Sequence, residues 1–122
     1  MNGVFAIPRT RCFENSIKRN EHFGWHYIDF SVRNASAYER MADTFLSAPK
    51  SASFFECFRS RGDLVRYDRT TNQLGVISKD GIIRTYYTPR FCAAAPLFLR
   101  MAKKCHNEPT HEAYVRLLCS QH

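Results

Sequence analysis

Two histidines four residues apart, His22 and His26, are the best candidates for acid–base chemistry in this 122-residue chain. If their segment is helical, both rings lie on one face and can act on the same substrate. On RNA, a neutral imidazole can take the proton of a 2′-hydroxyl while a protonated one supports the leaving 5′-oxygen. The pair could instead bind a metal ion, but no acidic third ligand stands at the spacing of zinc proteases. Alternatively, both rings fill an aromatic cluster with Trp25, Tyr27 and Phe30.

Two arginines on neighbouring predicted strands, Arg66 and Arg84, could hold the phosphate of such a substrate. Arg84 is followed by Thr85 and then Tyr87, which supply hydroxyl donors. A phosphodiester in its pentacoordinate state gains charge on the equatorial oxygens, and a positioned arginine with hydroxyl donors stabilises that charge. Since successive strand side chains point to opposite faces, Arg84 and Thr85 can share a site only at an edge or bulge. Both arginines could equally be solvent-facing strand residues.

Aromatic side chains beside these cations could stack on nucleobases. Proteins usually bind single-stranded or looped RNA through aromatic rings that lie next to cations. An aromatic stripe in a strand is more often part of a core, so this interpretation depends on the cations. The predicted RNA-binding residues are Trp25, Arg66, Tyr67 and Tyr86.

The charge favours a polyanionic partner. Lys and Arg number 18 against 11 Asp and Glu, which gives a net charge of +7, and 13 of the 18 are arginine. Arginine presents a planar fork of donors that suits phosphate, so nucleic acid is the first expectation, with a solvated basic surface as the alternative. Motifs of kinases, NTPases, glycosidases and serine proteases do not occur. Residues 1–11 show no signal-peptide pattern and no apolar run reaches membrane-spanning length, which predicts a cytoplasmic protein.

The five cysteines have wide and irregular spacings, with no C-x-x-C pair. This pattern predicts neither a disulfide framework nor a zinc site. We expect the cysteines to pack as small apolar side chains in a reducing compartment. A metal site at Cys105, His106 and His111 lacks a second cysteine at ligand spacing.

Helical patterns flank a run of strands. Apolar residues recur at helical spacing over 36–48, where Ser36 and Glu39 predict a capping box and Pro49 a stop. Period-two patterns over 64–68, 73–78 and 82–88 predict an antiparallel meander, with a tight Asp-Gly turn before the last strand. Residues 54–58 could form a fourth strand or a short helix. Helices are again expected over 97–105 and after Thr110. The order of elements predicts an α+β fold in one domain over 1–122.

Three segments in this order resemble the C-terminal nuclease domains of bacterial contact-dependent inhibition and related polymorphic toxins. Residues 21–30, EHFGWHYIDF, are similar to their H-F-x-K-H-x-x-E-F segment, and the helix from Ser36 resembles their next element. Residues 65–76 and 80–89 are similar to their R-Y-D, T-N-x-F-G-V and G-x-I-x-T-Y-F-x-P hairpins. The resemblance covers about residues 20–90 and leaves the predicted helical tail, 91–122, unmatched.

The resemblance implies a ribonuclease of the broad barnase–EndoU–colicin–RelE group. Such domains cleave RNA, often tRNA, without a metal or other cofactor, and pair with a cognate immunity protein. The motif assigns the catalytic roles to His22, His26, Arg84, Thr85 and Tyr87. Trp25 stands where the family's motif has lysine, and Asp29 where it has glutamate. The loss of that cation leaves open a non-catalytic RNA- or protein-binding module on the same fold.

Overall fold

The central element of the fold is a five-stranded mixed sheet. The computed structural model describes residues 11–120. The strand order of the sheet is β1-β5-β4-β3-β2, and every neighbouring pair is antiparallel except β1 and β5. The α+β class predicted from the sequence is confirmed, because helices precede and follow an antiparallel run of strands. The sheet has five strands, whereas the sequence predicted three or four. The strands are β1 (Cys12–Phe13), β2 (Phe54–Phe58), β3 (Leu64–Asp68), β4 (Gln73–Ile77) and β5 (Ile82–Tyr87).

Two helices before the meander, α1 (Ser16–His26) and α2 (Ala35–Ser47), each begin at an asparagine. The Asn15 side chain accepts a hydrogen bond from the backbone N–H of Lys18, and Asn34 caps α2 in the same way. The predicted capping box of α2 is therefore wrong, because Asn34 occupies the cap position. The Glu39 carboxylate instead accepts a hydrogen bond from the Phe13 backbone, which ties α2 to β1.

One face of the sheet packs against α1 and α2 around an aromatic core. The Tyr86 ring of β5 is fully buried, stacks on Phe30 with 4.3 Å between centroids, and lies against Tyr38 of α2. Helix α2 approaches the sheet closely at Gly75, where a Cβ atom would lie 2.9 Å from the Leu46 side chain. The predicted role of Tyr86 as an RNA-binding residue does not fit this position, because no face of its ring reaches solvent.

The other face packs against α4 (His111–Cys119), which Thr110 caps as the sequence predicts. Val115 of α4 is fully buried against β3 and β4. Tyr67 belongs to this second core; it is 5% exposed and its hydroxyl donates a hydrogen bond to Asn72 Oδ1. Tyr67 was predicted to stack on bases, but its burial in the core leaves it no such surface.

One edge of the sheet, among the described residues, lies along the second half of β5. Strand β1 pairs with β5 only at Ile82 and Ile83, so the edge beyond is left to α1. The register of β4 and β5 shifts here, with Val76 opposite Thr85 and Ile77 opposite Ile83, so Arg84 is the extra residue of a bulge. A bulge is one of the two features, with a sheet edge, predicted from the sequence as a condition for Arg84 and Thr85 to share a site.

Four of the five cysteines form disulfides, contrary to the prediction of isolated thiols. Cys57 bonds to Cys119 and thereby ties β2 to the end of α4, with 5.9 Å between their Cα atoms. Cys92 bonds to Cys105, with a Cα separation of 4.8 Å. The spacing of cysteines in the sequence does not predict their pairing, because the packing of sheet and helix brings positions 62 residues apart into contact. Cys12 carries a free thiol.

The segment after β5 is less helical than the sequence predicts. It contains a 3-10 turn at Cys92–Ala94 and one short helix, α3 (Leu97–Met101), before α4. Helix α3 ends early because Lys103 takes a left-handed conformation with φ of 59°. None of the helices within residues 11–120 has the length and apolar character to cross a membrane. The prediction about a signal peptide falls on residues 1–10, outside the described residues.

Arg66 was predicted to contact RNA, yet its side chain is buried beneath α2 and is only 6% exposed. Its Nε donates a hydrogen bond to Glu56 Oε2 at 2.6 Å. Its Nη1 donates to the backbone carbonyls of Phe45 and Ala48, at 2.9 and 2.6 Å. These carbonyls lie at the end of α2, where no helical N–H is available to them. Arg66 therefore joins the end of α2 to the sheet.

We predict that Arg66→Ala lowers the free energy of unfolding by about 2–4 kcal/mol, because it leaves a carboxylate and two carbonyls without their donor. Urea denaturation measures this loss. The matched control is Arg33→Ala, an exposed arginine whose removal changes the value by less than about 0.5 kcal/mol. A loss below about 1 kcal/mol for Arg66→Ala would show that Arg66 is not a structural residue.

Candidate active site

A cleft of about 390 Å³ opens where α1, β5 and the C-terminal segment meet. One wall carries His22 and His26 of α1, and the floor carries Thr85 and Tyr87 of β5. The opposite wall comes from the segment between the two last helices. That segment contributes Lys103 and Lys104. Two further cations line the cleft, Arg59 after β2 and Arg90 after β5.

His22 is the imidazole best placed to take a proton. Its Nδ1 lies 3.3 Å from the Thr85 hydroxyl, and the ring packs against Phe13 at 5.2 Å between centroids. Partial burial lowers the pKa of His22 below its usual value, and the nearby Lys104 ammonium lowers it further. The ring is therefore neutral near pH 7, which is the state that a general base requires.

His26 lies deeper, beside His22, with 6.0 Å between the ring centroids. It is 6% exposed and stacks on the Tyr87 ring at 5.0 Å. Its Nδ1 is 3.8 Å from Asp29 Oδ2, yet burial and the surrounding positive groups lower its pKa to about 3. His26 thus stays neutral and does not fit the role of proton donor. It lines the cleft and packs Tyr87 into position.

The Tyr87 hydroxyl is directed away from the histidines. It lies 2.5 Å from the hydroxyl of Tyr114 in α4, and burial raises its pKa well above the usual value. Tyr114 in turn stacks on His106, with 4.3 Å between centroids. Tyr87 therefore joins β5 to α4 through this contact, while its ring supports His26.

The arginines of the cleft are held by two buried carboxylates. Arg59 Nη2 is 2.8 Å from Asp63 Oδ2, but its Nε is buried and has no hydrogen-bond partner among residues 11–120. A buried guanidinium N–H without an acceptor is costly. Arg90 binds Asp29, which also accepts a hydrogen bond from the Thr88 backbone at 3.1 Å.

Arg84 lies next to this cleft rather than in it. Its Nε is 3.5 Å from Asp63 Oδ1, so Asp63 joins Arg84 to Arg59. Arg84 lines a smaller recess of about 200 Å³, and His22 contributes to both cavities. The structure thus brings Arg84 and the predicted histidines to one region, with His22 between the arginine and the main cleft.

The cations of the C-terminal segment were missed by the sequence reasoning. The disulfide of Cys92 with Cys105 fixes this segment, and the His106 backbone exchanges hydrogen bonds with Arg90 and Cys92. The Lys104 Nζ also lies 5.3 Å from the centroid of the Trp25 ring. The Lys103-Lys104 pair next to Cys105 was the one visible signal.

His106, which lines the cleft, forms a second histidine pair with His111. The Glu108 backbone N–H donates to His106 Nδ1, which places the His106 proton on Nε2 and directs it to His111 Nδ1 at 2.8 Å. Within residues 11–120, no three His, Cys, Asp or Glu side chains come together as metal ligands would.

Comparison with known proteins gives no further identification. Neither a protein-family model nor a curated protein sequence matches the chain.

We predict that the burial of neutral His26 makes the protein less stable in acid. The unfolded histidine binds a proton below pH 6.5 and the folded one only near pH 3. The stability from neutral His26 is therefore fully present above pH 6.5 and is lost as the pH falls towards 3. His26→Gln should reduce the slope of unfolding free energy against pH in this window, as urea denaturation at successive pH values would measure.

His22→Gln is the matched comparison, because the pKa of His22 is lowered less and the slope should change less. An unchanged slope in His26→Gln would contradict the assignment of a buried neutral ring.

Proposed function

We propose that the protein is an endoribonuclease that cleaves RNA by transesterification. The observation that carries the proposal is the neutral imidazole of His22, hydrogen-bonded to Thr85, in a cleft that Arg59, Arg90, Lys103 and Lys104 also line. This combination suits a substrate that must lose a hydroxyl proton while a phosphate gains charge. The resemblance to polymorphic-toxin nucleases supports the same reaction.

In the proposed reaction, His22 accepts the proton of the ribose 2′-hydroxyl through its Nε2. The 2′-oxygen forms a bond to phosphorus, and the bond from phosphorus to the 5′-oxygen breaks. Arg59 donates to a phosphate oxygen, and Arg84 adds positive charge from the neighbouring recess. Lys104, whose charge lowers the pKa of both histidines, supplies the proton to the departing 5′-oxygen. The products are a 2′,3′-cyclic phosphate and a free 5′-hydroxyl.

The proposed roles revise those from the motif. His22 keeps a catalytic role, Thr85 becomes a positioning residue that holds His22 Nδ1, and Arg84 has an electrostatic role. His26 and Tyr87 become positioning residues, since one is neutral and buried and the hydroxyl of the other meets Tyr114. We propose tRNA as the first substrate to test, from the resemblance, with no metal or other cofactor needed.

The proposed setting is bacterial competition, with an acidic immunity protein as the partner that covers the cationic cleft. Action on RNA would take place in the cytoplasm of a target cell. Disulfides are typical of oxidising compartments, so we propose that the bridges form before the protein reaches that cytoplasm.

A second candidate is a non-catalytic RNA- or protein-binding module on the same fold. The burial of His26, which leaves one accessible imidazole in the cleft, favours it. Such a module would bind RNA with an affinity that falls steeply with salt and would form no product.

We predict that the protein cuts total tRNA in the presence of EDTA and that His22→Ala slows cutting by about 10²- to 10⁴-fold, because a general base is lost. Gel analysis gives the rate, and mass spectrometry identifies the ends. The control is Ile17→Ala, a residue on the same helix that is 74% exposed. Intact tRNA at all enzyme concentrations, equal cutting by His22→Ala, or products with 5′-phosphates would contradict the mechanism.

We predict that opening the bridge of Cys92 and Cys105 lowers kcat/KM by at least about tenfold, because the segment bearing Lys104 then loses its fixed position. Serine replaces both cysteines in this variant. The matched control replaces Cys57 and Cys119, whose bridge closes a longer loop and so costs more stability but joins β2 to the end of α4 and not the segment bearing Lys104. Equal kcat/KM for both folded variants would contradict this role for the segment.

A further inference from the structure

We infer that Trp25 and Phe98 form a stacking subsite for one unpaired nucleobase next to the cleft, so that the substrate is single-stranded or looped RNA. The inference rests on the proposed function and names the class of substrate for that site. It depends on a pair of rings from opposite ends of the chain and on the cation beside them.

The two rings are nearly parallel. Their planes differ by 9° and their centroids are 6.4 Å apart. Trp25 lies in the last turn of α1 next to His26, and Phe98 lies on α3, which the sequence resemblance does not cover. Phe98 is 43% exposed, so part of its ring surface is accessible. A nucleobase can extend such a stack because every base presents a π-face.

Lys104 connects the rings to the proposed phosphate position. Its Nζ lies 5.3 Å from the Trp25 centroid, and the same residue lines the cleft with His22. A base on the aromatic pair would therefore place its own phosphate against a cation and towards the catalytic imidazole. Aromatic rings beside a cation are the usual arrangement for binding single strands.

The chemistry of the pair also sets its selectivity. The two rings offer stacking surface, and the phenyl ring of Phe98 has no hydrogen-bonding group. Stacking alone tolerates all bases but requires a base free of its partner strand. We therefore expect loops and single strands to bind here and duplex RNA to be excluded.

Trp25 is the only tryptophan of the chain, so its fluorescence reports this position directly. The probe is a trinucleotide of 2′-O-methyladenosine, which lacks the hydroxyl needed for cleavage. The expected result is saturable quenching of the emission by this probe. A trinucleotide of abasic sites and a duplex RNA should give little quenching.

Phe98→Ala should weaken the binding of the trinucleotide by about tenfold, since one stacking surface is removed. Leu97→Ala is the matched control, because Leu97 lies on the same short helix and is 61% exposed. The affinity of Leu97→Ala for the trinucleotide should be within about twofold of that of the unaltered protein. Circular dichroism checks that both variants are folded.

Equal quenching by the abasic probe, or equal affinity of Phe98→Ala and the unaltered protein, would overturn the subsite. Its failure is distinguishable from failure of the proposed function. If tRNA is cut but the trinucleotide leaves the fluorescence unchanged, the nuclease stands and the subsite is wrong. If base-dependent quenching occurs but no RNA is cut, the subsite stands as part of a binding module.

Discussion

The buried carboxylate of Asp29 holds together the two elements on which the cleft depends. Its side chain is 2% exposed, and it binds the guanidinium of Arg90 and the backbone N–H of Thr88. Asp29 follows α1, while Thr88 and Arg90 follow β5, so the carboxylate fixes the angle between helix and strand. His26 Nδ1 lies 3.8 Å from the same group. Without Asp29, a guanidinium and a backbone donor would be left unpaired inside the protein.

The electrostatics of the cleft follow from this junction. Asp29 and Asp63 each neutralise part of the charge of the arginines, while Lys103 and Lys104 add charge at the rim. Burial lowers the pKa of the neighbouring imidazoles and so keeps them neutral, and the excess positive charge of the cleft lowers their pKa further. A bound phosphodiester would supply the missing anion and make the protonation of His22 easier as the reaction proceeds.

Sequence patterns predicted the elements made by local periodicity. The helix predicted over 36–48 and the strands predicted after residue 64 are close to those observed. A helix or strand with one buried face carries its apolar residues at a single regular spacing, which the sequence shows directly. A bulge is present at Arg84, but Arg84 lines the neighbouring recess while Thr85 lines the main cleft. The prediction that Arg66 contacts RNA was wrong because the sequence alone does not distinguish a buried charged residue in a strand from an exposed one. The disulfides and the part played by Lys104 depend on contacts between distant segments, which periodicity does not encode.

The central claim is that the cleft receives a phosphodiester beside His22. Its most direct test is a titration of the histidine ring protons by NMR, with and without a deoxydinucleotide that cannot be cleaved. The account predicts that the bound phosphate raises the pKa of His22, because a nearby anion stabilises the imidazolium, while His26 stays neutral down to low pH. An unchanged pKa of His22 at saturating dinucleotide would contradict the claim.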